Sequence, residues 1–456
     1  MSASDSVALG TAIRIWIGNE TNCLFTGEVT ACEQQYTADG HQNMILRSYD
    51  LLHRLRKRQH LRQFEDISLA GLVKELTGDL GLHIQVHGPA IRFRQIMQWQ
   101  QSDLALLNEN IQRYGRYFAL WDDELHIFSL SGIERNMIEL EWERNLLSVT
   151  TTRNTEPACR SVEVFGWNPQ TAEAVSGKAG ADGYPEPEKH ETRSGHSGVS
   201  GERFLTGQPL GSTEEAAALG QAMLERRKAG EAVLQGVAEG NPLLRPGQQV
   251  CLAGVAAKQK TGRYVLSNVK HILNRSQGYL CEFDTFPPAF STPKQHIQSS
   301  MGVVSDIHDP ENKGRIKVEF PDLGKLESLW LEVTYPGAGR NKGLIALPDA
   351  GDQVLVLFID GNPSQGVVIG GLYGKAGPPD DGIRSGGVKC YTFTTPGGQK
   401  LCLDDEQGTV KVTNRDGSHI ELHPKKVILH AESDLTIEAP GKKMLFRANK
   451  IDFEQK

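Results

Sequence analysis

The chain has 456 residues, of which 38% are hydrophobic and 23% are charged, and its formal net charge is −7 at pH 7. This length leaves room for three or four domains. A negative charge balance gives no reason to expect a nucleic acid or another polyanion as partner.

The chain contains seven cysteines, an odd number, and none of them are spaced as Cys-x-x-Cys. We therefore expect free thiols in a reducing cytosol, not a disulfide framework or a zinc site. The first thirty residues lack the basic start and apolar run of a signal peptide. No apolar stretch approaches the roughly 18 residues of a membrane span. These features predict synthesis in the cytoplasm and an exit that bypasses the general secretory route.

Residues 1–65 alternate apolar and polar side chains and are predicted to form strands. The most basic segment of the chain, Arg-Leu-Arg-Lys-Arg-Gln-His-Leu-Arg at 54–62, lies near the end of this region. It has neither an aromatic platform nor a glycine loop. A solvated face or a charged contact with a neighbouring subunit is therefore favoured over a phosphate site.

Two helices are predicted next, capped by Ser68 and Ser102, and Gly115 ends the second. A hairpin is predicted around Asp122-Asp123. An aromatic group in this region fits a core better than a sugar-binding platform. Its members are Trp99, Tyr114, Tyr117, Phe118, Trp121 and Phe128.

Residues 166–204 are rich in Gly and Pro and poor in large apolar side chains, so we predict a surface loop. Ser212 is suited to cap a long helix after it. Three strands complete the region, at 249–253, 262–274 and 278–286, and the last two are predicted to form a hairpin around Arg275-Ser276-Gln277. From 302 to 373, six short strands without a helix predict a small closed barrel, with one strand at Leu344–Leu347.

From Gln399 onward, apolar residues recur in pairs with one residue between the two members. Both side chains of a pair therefore point to one face of a strand. Polar turns separate the pairs. The pairs are Leu401/Leu403, Val410/Val412, Ile420/Leu422, Val427/Leu429, Leu435/Ile437, Met444/Phe446 and Ile451/Phe453.

This C-terminal strip cannot fold alone, because two apolar side chains per strand make a core only when further layers stack on them. The simplest solution is several copies of the chain winding around one axis into a rigid needle. The residues predicted to fill that core are Leu401, Leu403, Val410, Val412, Ile420, Leu422, Val427, Leu429, Leu435, Ile437, Met444 and Phe446.

No catalytic motif such as Gly-x-Ser-x-Gly, His-Glu-x-x-His or a P-loop is present, so we expect neither an enzyme nor a cofactor. His419, His423 and His430 lie in the needle. On a three-fold axis one inward histidine would supply three metal ligands. Exposed histidines at turns and strand edges are the commoner arrangement, so no metal is predicted, although a metal on the axis stays open.

The segment 309–321, Asp-Pro-Glu-Asn-Lys-Gly-Arg-Ile-Lys-Val-Glu-Phe-Pro, resembles the first hairpin of the OB-fold in contractile-tail spike proteins. These include the VgrG proteins of type VI secretion, the phage baseplate V protein and the spikes of extracellular contractile injection systems. Other segments resemble the phage late control D, or tail hub, domain. The similar positions are 330–331, 348–356, 358, 360–363 and 370–373 for the OB-fold, and 48–52, 99–115 and 240–247 for the hub.

The resemblance implies a mostly β homotrimer with minor α content. Its parts would be tail-hub β-barrel lobes, an OB-fold barrel and a C-terminal intertwined β-helix. The implied domains are hub lobe 1 at 1–165, a Gly/Pro-rich loop at 166–204, hub lobe 2 at 205–299, the OB-fold at 300–376 and the triple-stranded spike at 377–456. Such a spike joins the inner tube and the baseplate to a piercing needle, travels with effector cargo in some systems, and meets a target cell envelope during firing.

The resemblance also implies a partner at the needle tip. In these systems a small conical PAAR-type protein covers the blunt end of the needle. Ile451 and Phe453 would otherwise leave apolar side chains and strand edges uncovered. The predicted docking residues are Ile451, Asp452, Phe453 and Glu454.

The sequence departs from some relatives, because it has no lysozyme insert between barrel and needle and no effector domain is expected after Lys456. Type VI secretion, an extracellular injection system and a phage all remain possible hosts. Two other classes compete. One is an OB-fold module that binds carbohydrate or nucleic acid through the barrel aromatics Phe320, Trp330, Tyr335, Phe358 and Tyr373. The other is a β-helical carbohydrate-active enzyme, which would need a longer solenoid with clustered carboxylates.

Overall fold

A computed structural model describes residues 7–18, 23–38, 42–133, 135–168, 173–180, 201–255, 261–289, 298–359 and 362–454. The chain divides into two compact units, Met1–Leu372 and Tyr373–Lys456. Strands far outnumber helices in the described residues, which confirms the predicted mostly β class.

The four α-helices found in the described residues all lie in the first unit. They are α1 (His53–Arg56), α2 (Leu69–Thr77), α3 (Asp103–Arg113) and α4 (Thr213–Glu231), with short 3-10 turns at Gly78–Leu80 and Pro321–Leu323. The predicted caps are confirmed, because the hydroxyls of Ser68, Ser102 and Ser212 each accept a hydrogen bond from the backbone N–H three residues later.

Twenty-four strands belong to the first unit in the described residues. The first fourteen are β1 (Ala12–Trp16), β2 (Cys23–Tyr36), β3 (Gln42–Tyr49), β4 (Arg62–Ser68), β5 (His83–Val86), β6 (Arg92–Gln98), β7 (Tyr117–Trp121), β8 (Glu124–Phe128), β9 (Ile138–Glu141), β10 (Leu146–Arg153), β11 (Ser161–Asn168), β12 (Glu173–Gly180), β13 (Glu202–Pro209) and β14 (Ala232–Glu239). The other ten are β15 (Gln249–Ala253), β16 (Thr261–Val265), β17 (Asn268–Asn274), β18 (Gly278–Asp284), β19 (Gln298–Asp306), β20 (Lys317–Phe320), β21 (Leu326–Glu327), β22 (Glu332–Val333), β23 (Gln353–Ile359) and β24 (Asn362–Leu372).

The largest core lies where α2, α3 and α4 pack on short sheets. Leu72, Leu107 and Leu125 come from before the Gly/Pro-rich segment, and Leu219 and Leu224 from after it, yet all five lie in one buried cluster. A second core is also built from both sides of the Gly/Pro-rich segment, because β10 pairs with β14, and β9 with β15. The two predicted hub lobes therefore exchange strands and share cores.

The predicted loop at 166–204 is wrong for part of its length. Glu173–Gly180 forms β12, which pairs antiparallel with β11, and β13 pairs parallel with β11 on the other side. Residues 181–200 of that predicted loop lie outside the described residues. The glycine that suggested a loop has a packing role, since a Cβ built on Gly177 would lie 2.4 Å from the backbone nitrogen of Ala217 in α4.

The barrel prediction is confirmed in outline. One sheet has the order β21-β20-β19-β23-β24-β22. A bridge between Ile316, just before β20, and Leu331, just before the end strand β22, curls the sheet toward closure. Phe320, Phe358, Val318 and Val356 fill the interior. The predicted strand at Leu344–Leu347 is wrong, because those residues carry no strand and Ile345 is exposed.

The second unit is a single small sheet with an added hairpin. Its strands are β25 (Ile383–Arg384), β26 (Gly387–Val388), β27 (Cys390–Thr394), β28 (Lys400–Asp404), β29 (Thr409–Thr413), β30 (His419–His423) and β31 (Lys426–His430). The last five form an antiparallel meander in chain order. Local turns suffice to connect such neighbours, so these four hairpins form within one chain.

In the described part of the chain, no helix has the length and apolar character that crossing a bilayer requires.

Candidate functional site

The most prominent surface feature is one face of the C-terminal meander. Strand register places apolar residues opposite one another across all five strands. The first row is Phe393, Leu401, Val412, Ile420 and Leu429, and the second is Tyr391, Leu403, Val410, Leu422 and Val427. We call these ten residues the apolar face.

The apolar face is uncovered. Nine of its ten side chains are 38–70% exposed, and only Val410 is half-buried. Isolated surface Leu or Val residues are ordinary, but two continuous rows make a patch of the kind that soluble proteins keep covered. The eight predicted core residues between Leu401 and Leu429 are therefore brought together on one face, where another surface can cover them.

The sequence prediction missed one strand of this face. Tyr391 and Phe393 in β27 extend the two rows, and both are exposed. Their spacing of two residues, followed by the turn Pro396-Gly397-Gly398, was the available indication of a further strand before Gln399.

The residues after β31 do not form the predicted strands. No strand or helix occurs in 431–454, although strand pairs were expected at Leu435/Ile437, Met444/Phe446 and Ile451/Phe453. All six side chains are at least 41% exposed, and Phe453 reaches 95%. The prediction of strands is wrong for the single chain, because a strand needs a partner and this segment finds none among the described residues of its own chain.

The opposite face of the meander is polar. His423 Nε2 lies 3.1 Å from Glu421 Oε1, and Lys411 Nζ lies 3.8 Å from Glu421 Oε2. The rings of His419 and His430 stack with centroids 4.9 Å apart. All three needle histidines thus lie opposite to the apolar face.

This placement bears on the axial metal that the sequence left open. If the apolar face lies on an axis, His419, His423 and His430 point away from it. Within the described residues, no group of three or more His, Cys, Asp or Glu side chains is arranged to hold a metal ion.

The basic segment 54–62 is used within the chain. Arg54 pairs with Glu28, Arg58 donates to Asp79 over 2.7 Å, and Arg62 donates to Asp103 over 2.9 Å. These partners neutralise much of the charge that a phosphate would meet. A phosphate site here loses support.

A second exposed apolar surface lies on the sheet β12-β11-β13 of the first unit. Val162 and Val164 point into the core, whereas Phe165 and Trp167 point outward and are 41% and 50% exposed. The Phe165 ring lies 6.2 Å from that of Phe204 on β13. This patch is also of a kind expected at an interface between subunits.

The motif at 309–321 comprises most of the loop between β19 and β20, followed by strand β20 itself. Asp309 accepts hydrogen bonds from the backbone N–H groups of Glu311 and Lys313, at 3.1 and 2.9 Å, and from Arg315 Nη2 at 2.7 Å. The guanidinium of Arg315, followed by those N–H groups, holds the pKa of Asp309 well below its ordinary value. The motif is thus a buried structural clamp.

The barrel offers little for the competing binding-module interpretation. Phe320 and Phe358 are buried in its core with ring centroids 5.3 Å apart. Lys317 lies over the ring of half-buried Trp330 at 5.5 Å. An aromatic platform for bases or sugars needs several exposed ring faces. Of the five barrel aromatics named in the sequence, Tyr335 is half-buried and Tyr373 alone, at 64%, is exposed.

Comparison with known families finds two matches along the chain. The Alg8 N-terminal domain family matches residues 1–275. The family described as the type VI secretion system/phage-baseplate injector OB domain matches residues 300–373. The second match covers the barrel β19–β24, which confirms the OB-fold prediction.

Several curated proteins are similar to parts of the chain. The type VI secretion system spike protein VgrG4b of Pseudomonas aeruginosa is 26% identical over 265 residues, or 48% of this chain and 32% of the relative. The spike protein VgrG5 of the same species is 28% identical over 189 residues, or 36% of this chain and 24% of the relative. This chain therefore spans a third or less of the length of these relatives.

A solved structure supports the fold. The E. coli c3393 protein, described as a type VI secretion component with structural similarity to the T4 bacteriophage tail proteins gp27 and gp5, matches 82% of this chain and 89% of its own. The TM-score is 0.52 and the identity is 15%. The predicted VgrG-like architecture is thereby confirmed at the level of the fold.

Proposed function

Since this chain belongs to the Alg8 N-terminal domain family and is VgrG-like, we propose that it is the spike of a contractile injection machine, assembled as a homotrimer. The observation that carries the proposal is the exposed apolar face of the meander. Three such faces, one from each chain, meet around an axis and bury the two rows that one chain leaves in water. The polar faces with Lys411 and Glu421 then point outward.

The segment 431–454 supports an intertwined needle over a simple side-by-side contact. It has no strand of its own, and among its described residues the backbone N–H groups make few bonds within the chain, such as Lys442 to Ala439 over 3.0 Å. Backbone groups that are to be buried need partners. Strands of the two neighbouring chains supply them when the segments of three chains wind together. Leu435, Ile437, Met444 and Phe446 then continue the core.

We assign the first unit to attachment. Its hub sheets and barrel join the needle to the inner tube and baseplate, and the patch around Phe165 and Trp167 contacts a neighbouring subunit. Effector cargo and a target cell envelope are the remaining partners in this proposal. The protein is made in the cytoplasm and leaves the cell as part of a phage-tail-like particle.

We assign the tip contact to Ile451, Asp452, Phe453 and Glu454, all of which are exposed. Phe453 is the most exposed large apolar side chain among the described residues. A small PAAR-type protein that covers three copies of this side chain removes them from water.

The proposed role is mechanical and not catalytic. The carboxylates of Asp79 and Asp309 are engaged in ion pairs with Arg58 and Arg315, so neither is a free acid or base for catalysis. We expect no hydrolysis of peptidoglycan, nucleic acids or esters. Lysis of cell-wall material in a zymogram by the pure full-length protein would contradict this part of the proposal.

The molar mass of the full-length protein in solution tests the trimer. Light scattering on the size-exclusion peak at micromolar concentration is expected to give about 150 kDa, three times the chain mass of 50.2 kDa. Stable assembly is expected because the apolar faces lose their contact with water. A peak at the mass of one chain would refute the proposal.

A further inference from the structure

Two cysteines of the second unit lie side by side on the polar face of the meander. Strand register pairs Cys390 with Asp404 and Thr392 with Cys402, so the two cysteines are diagonal neighbours on β27 and β28. Their Sγ atoms are 3.3 Å apart, and both thiols are free. Diagonal neighbours of this kind are within reach of each other's side chains.

The surroundings differ for the two thiols. Cys390 is 4% exposed. Its backbone N–H donates to Gly382 O over 3.1 Å, and its Sγ lies 3.9 Å from Asp380 Oδ2. Cys402 is only half-buried and borders solvent. A reagent in solution therefore reaches Cys402 before Cys390.

We propose that Cys390 and Cys402 form a modification site, at which a low-molecular-weight disulfide such as oxidised glutathione converts the pair into an intrachain disulfide. The thiolate of Cys402 attacks one sulfur of the oxidant and releases one glutathione thiolate. The sulfur of Cys390 then attacks Cys402 Sγ and releases the second. The two protein thiols lose two electrons and two protons, and one oxidised glutathione takes them up to become two glutathione thiols.

The geometry suits the second step. A disulfide has a sulfur–sulfur distance of about 2.05 Å, so the two sulfurs need to approach by roughly 1.2 Å. Side-chain rotation on two paired strands provides that movement. Burial raises the pKa of the Cys402 thiol, which slows the first step at neutral pH because the thiolate is the nucleophile.

The bond would join β27 to β28 and so fix the first hairpin of the meander. It lies opposite to the apolar face, since Cys402 separates Leu401 from Leu403 along the strand. The modification therefore does not use the surface proposed for assembly. It is expected in the free chain and in a trimer alike.

The experiment uses the full-length protein, incubated with oxidised glutathione or with dithiothreitol and then alkylated in denaturant. Trypsin cleaves after Lys389, Lys400 and Lys411, which places the two cysteines in separate peptides, 390–400 and 401–411. After oxidation we expect one linked species with the summed mass of both peptides less two hydrogens. In the dithiothreitol sample we expect two separately alkylated peptides.

Two variants test the order of attack. In Cys390→Ser, peptide 401–411 is expected to carry glutathione, because the mixed disulfide has no second thiol to resolve it. In Cys402→Ser, Cys390 is expected to remain mostly alkylatable. Exposed Cys32 reports that the oxidant was active. Wild-type protein in which Cys32 is glutathionylated while 390–400 and 401–411 remain unlinked would overturn the proposal.

Discussion

The carboxylate of Asp309 and the guanidinium of Arg315 form a buried ion pair that closes the loop between β19 and β20 of the barrel. Their side chains are 3% and 4% exposed, and two nitrogens of Arg315 donate to the two carboxylate oxygens over 3.0 and 2.7 Å. Gly314, at φ +71°, lets the chain turn back so that the two residues meet. A turn this short has too few apolar side chains to form a core of its own, so the ion pair holds the loop closed instead.

We predict that Asp309→Asn destabilises the barrel by up to about 3–5 kcal/mol, because buried Arg315 loses its two-pronged carboxylate partner. Arg315 then keeps only half-exposed Glu311, whose Oε1 lies 3.0 Å from Arg315 Nη2. Denaturant unfolding of the full-length protein, with hydrogen exchange followed in 298–372, measures the effect. Asp306→Asn is the matched control, since Asp306 is a partly exposed carboxylate three residues away whose ion pair is with exposed His308. No measurable change is expected for the control. Equal stability of Asp309→Asn and wild type would contradict the clamp.

The same pair predicts a dependence on acid. The folded-state pKa of Asp309 is depressed, first by Arg315 and then by backbone N–H groups. Its stabilisation is therefore fully present above the unfolded pKa of about 3.9 and is lost as the pH falls below that value toward the folded pKa. Wild-type protein should lose barrel stability below about pH 4, and Asp309→Asn should lose less over the same interval. Parallel curves for the two proteins would show that Asp309 does not contribute to the acid dependence.

A further prediction concerns the contact between α3 and α4. Gly115 is in the left-handed region at φ +63°, and an added Cβ would lie 2.6 Å from the Cβ of Ala222 and 2.9 Å from its Cα. Gly115→Ala is expected to destabilise the first unit by about 2–4 kcal/mol, from overpacking and backbone strain together. Thermal unfolding measures the loss.

Gly81→Ala separates strain from clash. Gly81 has φ +68°, close to that of Gly115, but no atom lies within 4 Å of its added Cβ. It is expected to cost about 1 kcal/mol, the strain alone. If both variants lose the same stability, then the packing against Ala222 is not what requires glycine at 115.

The comparison of sequence and structure is instructive at these glycines. Gly115 was predicted as a helix end from its position alone, and that prediction is confirmed. Gly177 suggested a loop by composition, whereas it lies in a strand where α4 approaches the backbone closely. The two predictions differ in the sequence separation that they depend on. A helix end is determined by neighbouring residues, whereas the contact of Gly177 with Ala217 joins residues some forty positions apart, which a local pattern does not indicate.

The same distinction explains the needle. The register of Leu401 with Val412 and of Ile420 with Leu429 follows from alternation and short turns, so the sequence predicts those strands. Leu435 and Met444 show the same alternation but form no strand within one chain. Their strand partners do not lie nearby in the sequence, and the alternation pattern of one chain does not indicate which chain supplies those partner strands.

We predict that Val427→Asp prevents assembly of the trimer. Val427 is 70% exposed in the single chain and lies in the second row of the apolar face. A carboxylate there would be buried without a partner in a closed needle. Lys426→Asp is the matched control, because Lys426 is the preceding residue, lies on the polar face opposite His423 and is exposed. Light scattering should give a smaller particle for the first variant and an unchanged mass for the second, and a trimer formed by Val427→Asp would argue against the apolar face as the interface.

The last prediction concerns the tip. Phe453 is 95% exposed and Ile451 is 50% exposed, so a partner that covers both removes apolar surface from water. We expect Phe453→Asp, and truncation after Asn449, to abolish capture of the cognate PAAR-type protein. The mass of the trimer should not change, because the apolar face between Leu401 and Leu429 lies upstream of both changes. Lys442→Asp, an exposed substitution outside the proposed contact, should bind like wild type. If a trimer truncated after Asn449 captures the tip protein as well as the full-length trimer does, then docking uses another part of the needle.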